Sequence, residues 1–126
     1  MKRQVITKQA PEPLAGAYSQ GLVVDEKRMY VAGQGPMNVK SGLTPQGVSE
    51  QTTQVMENIK AILEAGDFSL ADVVKSTVHL ADIGDFGEFN KVYTSYFNGV
   101  LPVRTTVQSV LPKIDMLVEI DVIAEK

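Results

Sequence analysis

The sequence of 126 residues contains no cysteine and a single histidine, His79. Without cysteine there is no disulfide framework and no thiolate chemistry. One histidine excludes a His-rich metal site, and no cluster of carboxylates takes its place. A basic surplus is missing as well: the formal net charge is −3, and no lysine- or arginine-rich stripe marks a nucleic-acid surface. No apolar run approaches the roughly 20 residues that a membrane-crossing helix needs. The opening "MKRQVITKQAPEP" is basic but lacks the apolar segment of a secretory signal. These absences lead to the expectation of a soluble cytoplasmic protein with no nucleic-acid or membrane partner.

What is present suffices for a folded core. The chain is 44% hydrophobic and 21% charged, without the bias of a disordered segment. No linker, repeat or compositional break divides it, so residues 1–126 are expected to form one domain.

The patterning predicts the order β-β-β-α-β-α-β-β. "QVIT" is a short strand candidate, and "GLVVD" and "RMYVAG" flank residues 25 to 27 as a hairpin. In "VSEQTTQVMENIKAILEAG", Val48, Val55, Ile59, Ile62 and Leu63 form one helical stripe, with Ser49 as N-cap and Gly66 as the stop. "ADVVKSTVHLAD" alternates as a strand. "DFGEFNKVYTSYFNG" repeats Phe86, Phe89, Tyr93, Tyr96 and Phe97 on one face, Asp85 and Glu88 have capping-box spacing, and Asn98-Gly99 ends the helix. "PVRTTVQSV" and "VEIDVIA" are the last strands, with the register around "LPKID" left open. The expected fold is α+β, a mixed sheet of about six strands with two helices on one face. Met29, Val31, Val74, Val78, Val118 and Val122 look too numerous for two helices to hide, which hints at self-association.

Two charges interrupt these last strands. Arg104 shares a side with Thr106 and Gln108. Its guanidinium offers a planar fork of donors that matches a carboxylate. Glu119 lies between Val118 and Ile120, where half-burial would raise its pKa toward the range of a general base. Each also fits a plainer role: a surface arginine on an edge strand, a solvent-facing carboxylate beside Asp121, or a buried Arg–Glu pair. Tyr18, in the Pro/Gly-rich "GAYSQ", is a packing anchor or a hydroxyl for a ligand. Gly33-Gln34-Gly35 can bring backbone amides to an anion, but it lacks the lysine and serine of a phosphate loop. Asn90 lies off the aromatic stripe of its helix. His79 reads as a packed or exposed histidine and is not a candidate.

Together, "GAYSQG", "MYVAGQGP", "QTTQVMENIKAILEAG", "DVVKSTVHLADIGDFGEFNKVY", "PVRTTV" and "VEIDVIA" resemble the RidA (YjgF/YER057c/UK114) family of enamine and imine deaminases across nearly the whole chain. The spaced Pro-x-Arg and Val-Glu-Ile elements are its most specific mark. The resemblance implies a chorismate-mutase-like fold and a homotrimer with sites in inter-subunit clefts. It implies cofactor-independent hydrolysis of small 2-enamino or 2-imino acids, of the 2-aminoacrylate type, to 2-oxo acids and ammonia. In that reading Arg104 binds the substrate carboxylate and Glu119 activates water. Tyr18 reaches in from a neighbouring subunit, and Gly33 and Asn90 line the site. Ala32 and Thr106 stand where many members carry serine and cysteine. If both line the cleft, a less polar wall favours imines of small or apolar amino acids. The alternatives are a non-catalytic module binding small carboxylates and, against the net charge, a ribonuclease.

Overall fold

A computed structural model describes residues 1–126. Its strands are β1 (Lys2–Val5), β2 (Gly21–Val24), β3 (Arg28–Gln34), β4 (Val73–Leu80), β5 (Val103–Gln108) and β6 (Val118–Glu125). Its helices are α1 (Val48–Ala65), between β3 and β4, and α2 (Phe86–Ser95), between β4 and β5. The expected order of elements is therefore the observed one, and the fold is α+β. All six strands form one sheet in the order β1-β2-β3-β6-β4-β5.

Local chemistry explains the hairpin between β2 and β3. Asp25 and Glu26 both adopt positive φ, 52° and 54°, and Lys27 N donates to Val24 O at 3.1 Å. That left-handed pair twists the chain in the sense that adjacent strands require. β4 and β5 are parallel, joined by the crossover helix α2, while every other pair is antiparallel. The last two strands are not a hairpin. β6 is inserted between β3 and β4, so the "LPKID" segment carries the chain past the end of β4.

Both helices cover the same sheet face. Val55, Met56, Ile59, Ile62 and Leu63 of α1, with Phe89 and Tyr93 of α2, belong to one buried core with Val23, Met29, Val31, Val78, Leu80 and alternate residues of β6. Each fully buried side chain of this size contributes about 1.5–3 kcal/mol. Met29, Val31, Val78, Val118 and Val122 are all hidden here; of the apolar surplus read from the sequence only Val74 is exposed. The open face instead carries Leu22, Tyr30, Lys75, Thr77, His79, Glu119, Asp121 and Ile123, with Val103 and Val107 at its edge.

The helix ends differ from the sequence reading. α1 starts at Val48 with Gly47 before it, so Ser49 lies inside the helix. Gly66 has φ −96°, and Asp67, at φ 66°, makes the left-handed turn. Position 66 is glycine for want of room: a Cβ would lie 2.6 Å from Met29 Sδ. Asp85 makes no side-chain capping bond. Asp82 Oδ1 accepts from Gly84 N at 2.8 Å instead, and the reciprocal capping box belongs to Ser69 and Asp72. α2 stops at Ser95, short of Asn98-Gly99, leaving Tyr96 and Phe97 beyond it.

Candidate active site

Alternation along β6 decides where Glu119 points. Val118, Ile120, Val122 and Ala124 are buried against the helices, so Glu119, Asp121 and Ile123 face the open side. A β-bulge in β3 between Val31 and Gln34 brings Gly33 beneath Glu119. The approach is close: a Cβ at position 33 would sit 2.7 Å from Glu119 Oε2. Burial pushes the Glu119 carboxyl above its ordinary range; the nearby His79 opposes that rise and Asp121 adds to it. Asp121 is likewise raised, first by burial.

Glu119 and Gly33 line a cleft of ≈ 110 Å³ together with Tyr18, Met37, Pro112 and Met116. At about 10–15 Å³ for each water, that volume admits a small organic acid and its hydration. The wall is assembled from three separate loops, the first of which the amide of Gln20 helps to fix. Its Nε2 donates to the carbonyls of Thr7, Ala10 and Pro11, and its Oε1 accepts from Thr7 N at 2.7 Å. The Tyr18 hydroxyl accepts from Leu14 N at 3.2 Å, which leaves its own proton for a ligand.

Arg104 lies elsewhere. On β5 it is paired with Ser76, which in turn is paired with Val122, so its side chain lies on the helix-covered face. Arg104 Nη1 donates to Asn90 Oδ1 at 2.8 Å. The guanidinium carbon is 4.9 Å from the Tyr93 ring centroid, 5.4 Å from Phe86 and 5.5 Å from Phe89. Tyr93 is itself tied down, its hydroxyl donating to Ser76 Oγ at 2.8 Å. The ion pairs of the molecule are Met1–Asp25, Arg3–Glu26 and Arg28–Glu125. Arg104 is in none of them, so a half-buried, oriented guanidinium keeps donors for an external anion.

The predicted site residues thus form two groups within one chain. Tyr18, Gly33 and Glu119 share the cleft. Arg104 and Asn90 are bonded to each other, and Thr106 follows two residues along the same side of β5. The two groups do not meet. Ala32, next to Gly33 within β3, is half-buried, its N–H donating to Gln20 O, and it is not part of the cleft wall. The apolar wall comes from Met37, Pro112 and Met116, which the sequence reading missed because they belong to loops without periodicity. His79, which the sequence reading set aside, is directly opposite Glu119 across the β4–β6 pair. Alternation showed that His79 lay on one face of β4, but nothing local revealed which strand lay beside it.

A mixed six-stranded sheet with two helices on one face, carrying a carboxylate cleft on the other, defines a small α+β class with many solved members. Residues 7–126 match the model of the family described as Endoribonuclease L-PSP. A RutC family protein of Saccharolobus solfataricus is 48% identical, over 100% of this chain and 99% of its own length. The 2-iminobutanoate/2-iminopropanoate deaminase of Rattus norvegicus is 44% identical, covering 98% of this chain and 90% of that protein. The crystal structure of E. coli TdcF with bound serine superposes with a TM-score of 0.91 at 35% identity, covering 98% of each chain. The chain belongs to the RidA (YjgF/YER057c/UK114) family, which includes proteins named as imine deaminases.

Proposed function

We propose that this protein hydrolyses small 2-imino acids, in tautomeric exchange with 2-enamino acids, to 2-oxo acids and ammonia, at sites shared between the subunits of a homotrimer. The observation that carries this reading is the separation of two complementary half-sites on one chain. One holds an unpaired guanidinium fork, the other a half-buried carboxylate in a cleft. A head-to-tail contact brings two different patches together once per subunit, and with a rotation of one third of a turn it closes into a ring of three. Arg104, Asn90 and Thr106 of one subunit then face Tyr18, Gly33 and Glu119 of the next, while the open sheet face supplies apolar area for the contact.

In the assembled site Arg104 clamps the substrate carboxylate, with Asn90 holding the fork in plane. Glu119 accepts a proton from water as the water oxygen bonds to the imine carbon, and the imine nitrogen is protonated. Glu119 passes the proton it took from water to the carbinolamine nitrogen; the C–N bond then breaks and ammonia leaves as the hydroxyl proton moves to the freed carboxylate, giving the C=O of the 2-oxo acid. The Tyr18 hydroxyl donates to the developing polar group. A protonated imine is already electrophilic, so positioning and one proton shuttle suffice; the shuttle alone is commonly worth about 10²–10⁴-fold. The apolar wall of Met37 and Met116 favours imines of small or apolar amino acids.

The test couples the protein to an amino-acid oxidase that releases imino acids from alanine, leucine or glutamate. Faster imine loss than in buffer, greater for leucine than for glutamate, is the expected result. Ammonia release no faster than in buffer overturns the deaminase reading and leaves a module that binds small carboxylates. The description of the matched family favours a ribonuclease as a second reading. The net charge of −3 opposes it, and RNA cleavage persisting in an Arg104→Ala/Glu119→Gln double variant would assign that activity to another site.

A further inference from the structure

Beside the cleft, on the open sheet face, stands a histidine that the chemistry above does not use. His79 is paired with Glu119 in the antiparallel register of β4 and β6, and both side chains are on the open face. Directly opposed residues of this kind have Cβ atoms about 4.5–5.5 Å apart. The imidazole is anchored from behind: its Nδ1 lies 2.8 Å from Ser109 Oγ, and Ser109 N donates to Leu80 O at 2.9 Å, which fixes the serine beside β4. We infer that His79, held by Ser109 directly opposite Glu119, is a positioning residue that favours the carboxylate form of Glu119, the form able to take a proton from the attacking water.

The inference rests on the deaminase reading for its consequence but on geometry for its cause. Two influences push Glu119 toward its neutral form, burial and the Asp121 carboxylate two residues along β6. A protonated carboxyl cannot act as a base. Lys75 on β4 acts on Asp121 rather than on Glu119. Glu12 and Lys113, charged groups of opposite sign, stand in the loops around the cleft. His79 is the group whose charge favours the Glu119 anion. The arrangement also explains an oddity of composition: the single histidine of the chain occupies a position where a β-branched or aromatic residue would suit the sheet better.

The experiment is a pH profile of kcat/KM for the wild type, His79→Gln and Ser109→Ala, with oxidase-generated imine as substrate. It is joined by a ¹³C-carboxyl NMR titration of Glu119 in the same proteins. In His79→Gln the acid limb moves up by a few tenths to about one pH unit, and the loss of rate is greatest on the acid side and closes as pH rises. Ser109→Ala, which keeps the imidazole but unties it, moves the midpoint the same way by less. The NMR midpoint of Glu119 rises in parallel. An unmoved Glu119 midpoint in both variants overturns the inference, as does a loss of rate equal at all pH values. The titration reads Glu119 whether or not the protein turns over imines. A wild type without turnover but with a midpoint that rises on substitution therefore defeats the proposed function and leaves the His79 coupling standing.

Discussion

Arg104 and Glu119 stand on opposite faces of one sheet. Arg104 is in register with Ser76 and Val122 on the helix-covered side, whereas Glu119 is in register with His79 on the open side. Side chains in adjacent strands share a face only when their register places them directly opposite or an even number of residues apart. These two are out of phase, and no rotamer brings them together through the sheet. A reaction needing both must draw them from two chains.

Complementation follows. Arg104→Ala and Glu119→Gln should each be inactive alone. Mixed, dissociated and reassembled in equal amounts, they should regain about a quarter of the wild-type sites, since random head-to-tail pairing joins one intact Arg104 to one intact Glu119 that often. Ammonia release by the mixture checks this. No recovery, from a mixture shown by mass spectrometry to contain hybrid assemblies, would place both residues in one subunit's site or outside it.

Arg104→Lys should fail nearly as badly as Arg104→Ala. The Asn90 bond and the surrounding rings orient a planar fork, and an ammonium cannot satisfy both the amide and a bidentate carboxylate. Losing a charged hydrogen bond costs about 1.5–3 kcal/mol, or roughly 10- to 100-fold in kcat/KM. Steady-state kinetics decide the matter, and near-normal turnover by the lysine variant would remove the clamp.

Glu119→Gln should abolish turnover, keep binding of pyruvate, and stabilise the fold at neutral pH. The sign is fixed by the direction of the shift. A carboxyl raised above its ordinary value of 4.5 holds its proton more tightly when folded, so wild-type stability declines as pH rises from about that value through the raised one. Glutamine removes this share of the decline. Urea unfolding of both proteins at pH 4 and pH 7 should therefore show a gap in favour of the variant that opens at the higher pH. Asp25 and Glu26, whose carboxyls are lowered by the N-terminal amine and by Arg3, act in the opposite sense but equally in both proteins.

Gly66→Ala should destabilise, although alanine is the better helix former. The added methyl meets Met29 Sδ and Cε at 2.6 and 2.8 Å inside the core, where overpacking costs about 1–3 kcal/mol. Met29→Ala combined with Gly66→Ala should recover part of the loss attributable to the clash, measured by a double-variant cycle.

The sequence was most legible where the chain is periodic. The stripe Val55, Ile59, Ile62 and Leu63 is buried as its spacing required, and the alternation of β6 correctly assigned Glu119 to one face and Val118 and Ile120 to the other. It was least legible where faces had to be compared between strands. The insertion of β6 between β3 and β4 joins residues far apart in sequence, and no local signal specifies that pairing. For the same reason a buried Arg104–Glu119 pair stayed open among the readings, the strand beside His79 could not be named, and the valines of the core looked surplus. The bounds of α1 fell where the sequence put them, but its caps were misassigned: Ser49 lies inside the helix, and Asp67 rather than Gly66 takes the left-handed turn. Gly66 was explained by its backbone when Met29, a residue of β3, is what excludes a side chain there.

The contact between Gly33 and Glu119 also restricts the order in which this site can change by mutation. While position 119 carries a glutamate reaching to 2.7 Å from where a Cβ would stand, any side chain at 33 must displace the carboxylate. Shortening residue 119 first would open that space and make position 33 permissive. A side chain fixed there afterwards would keep a returning glutamate from taking its present position. A lineage that loses Glu119 and drifts at position 33 must then regain both residues, so recovery of this half-site takes two substitutions where its loss took one.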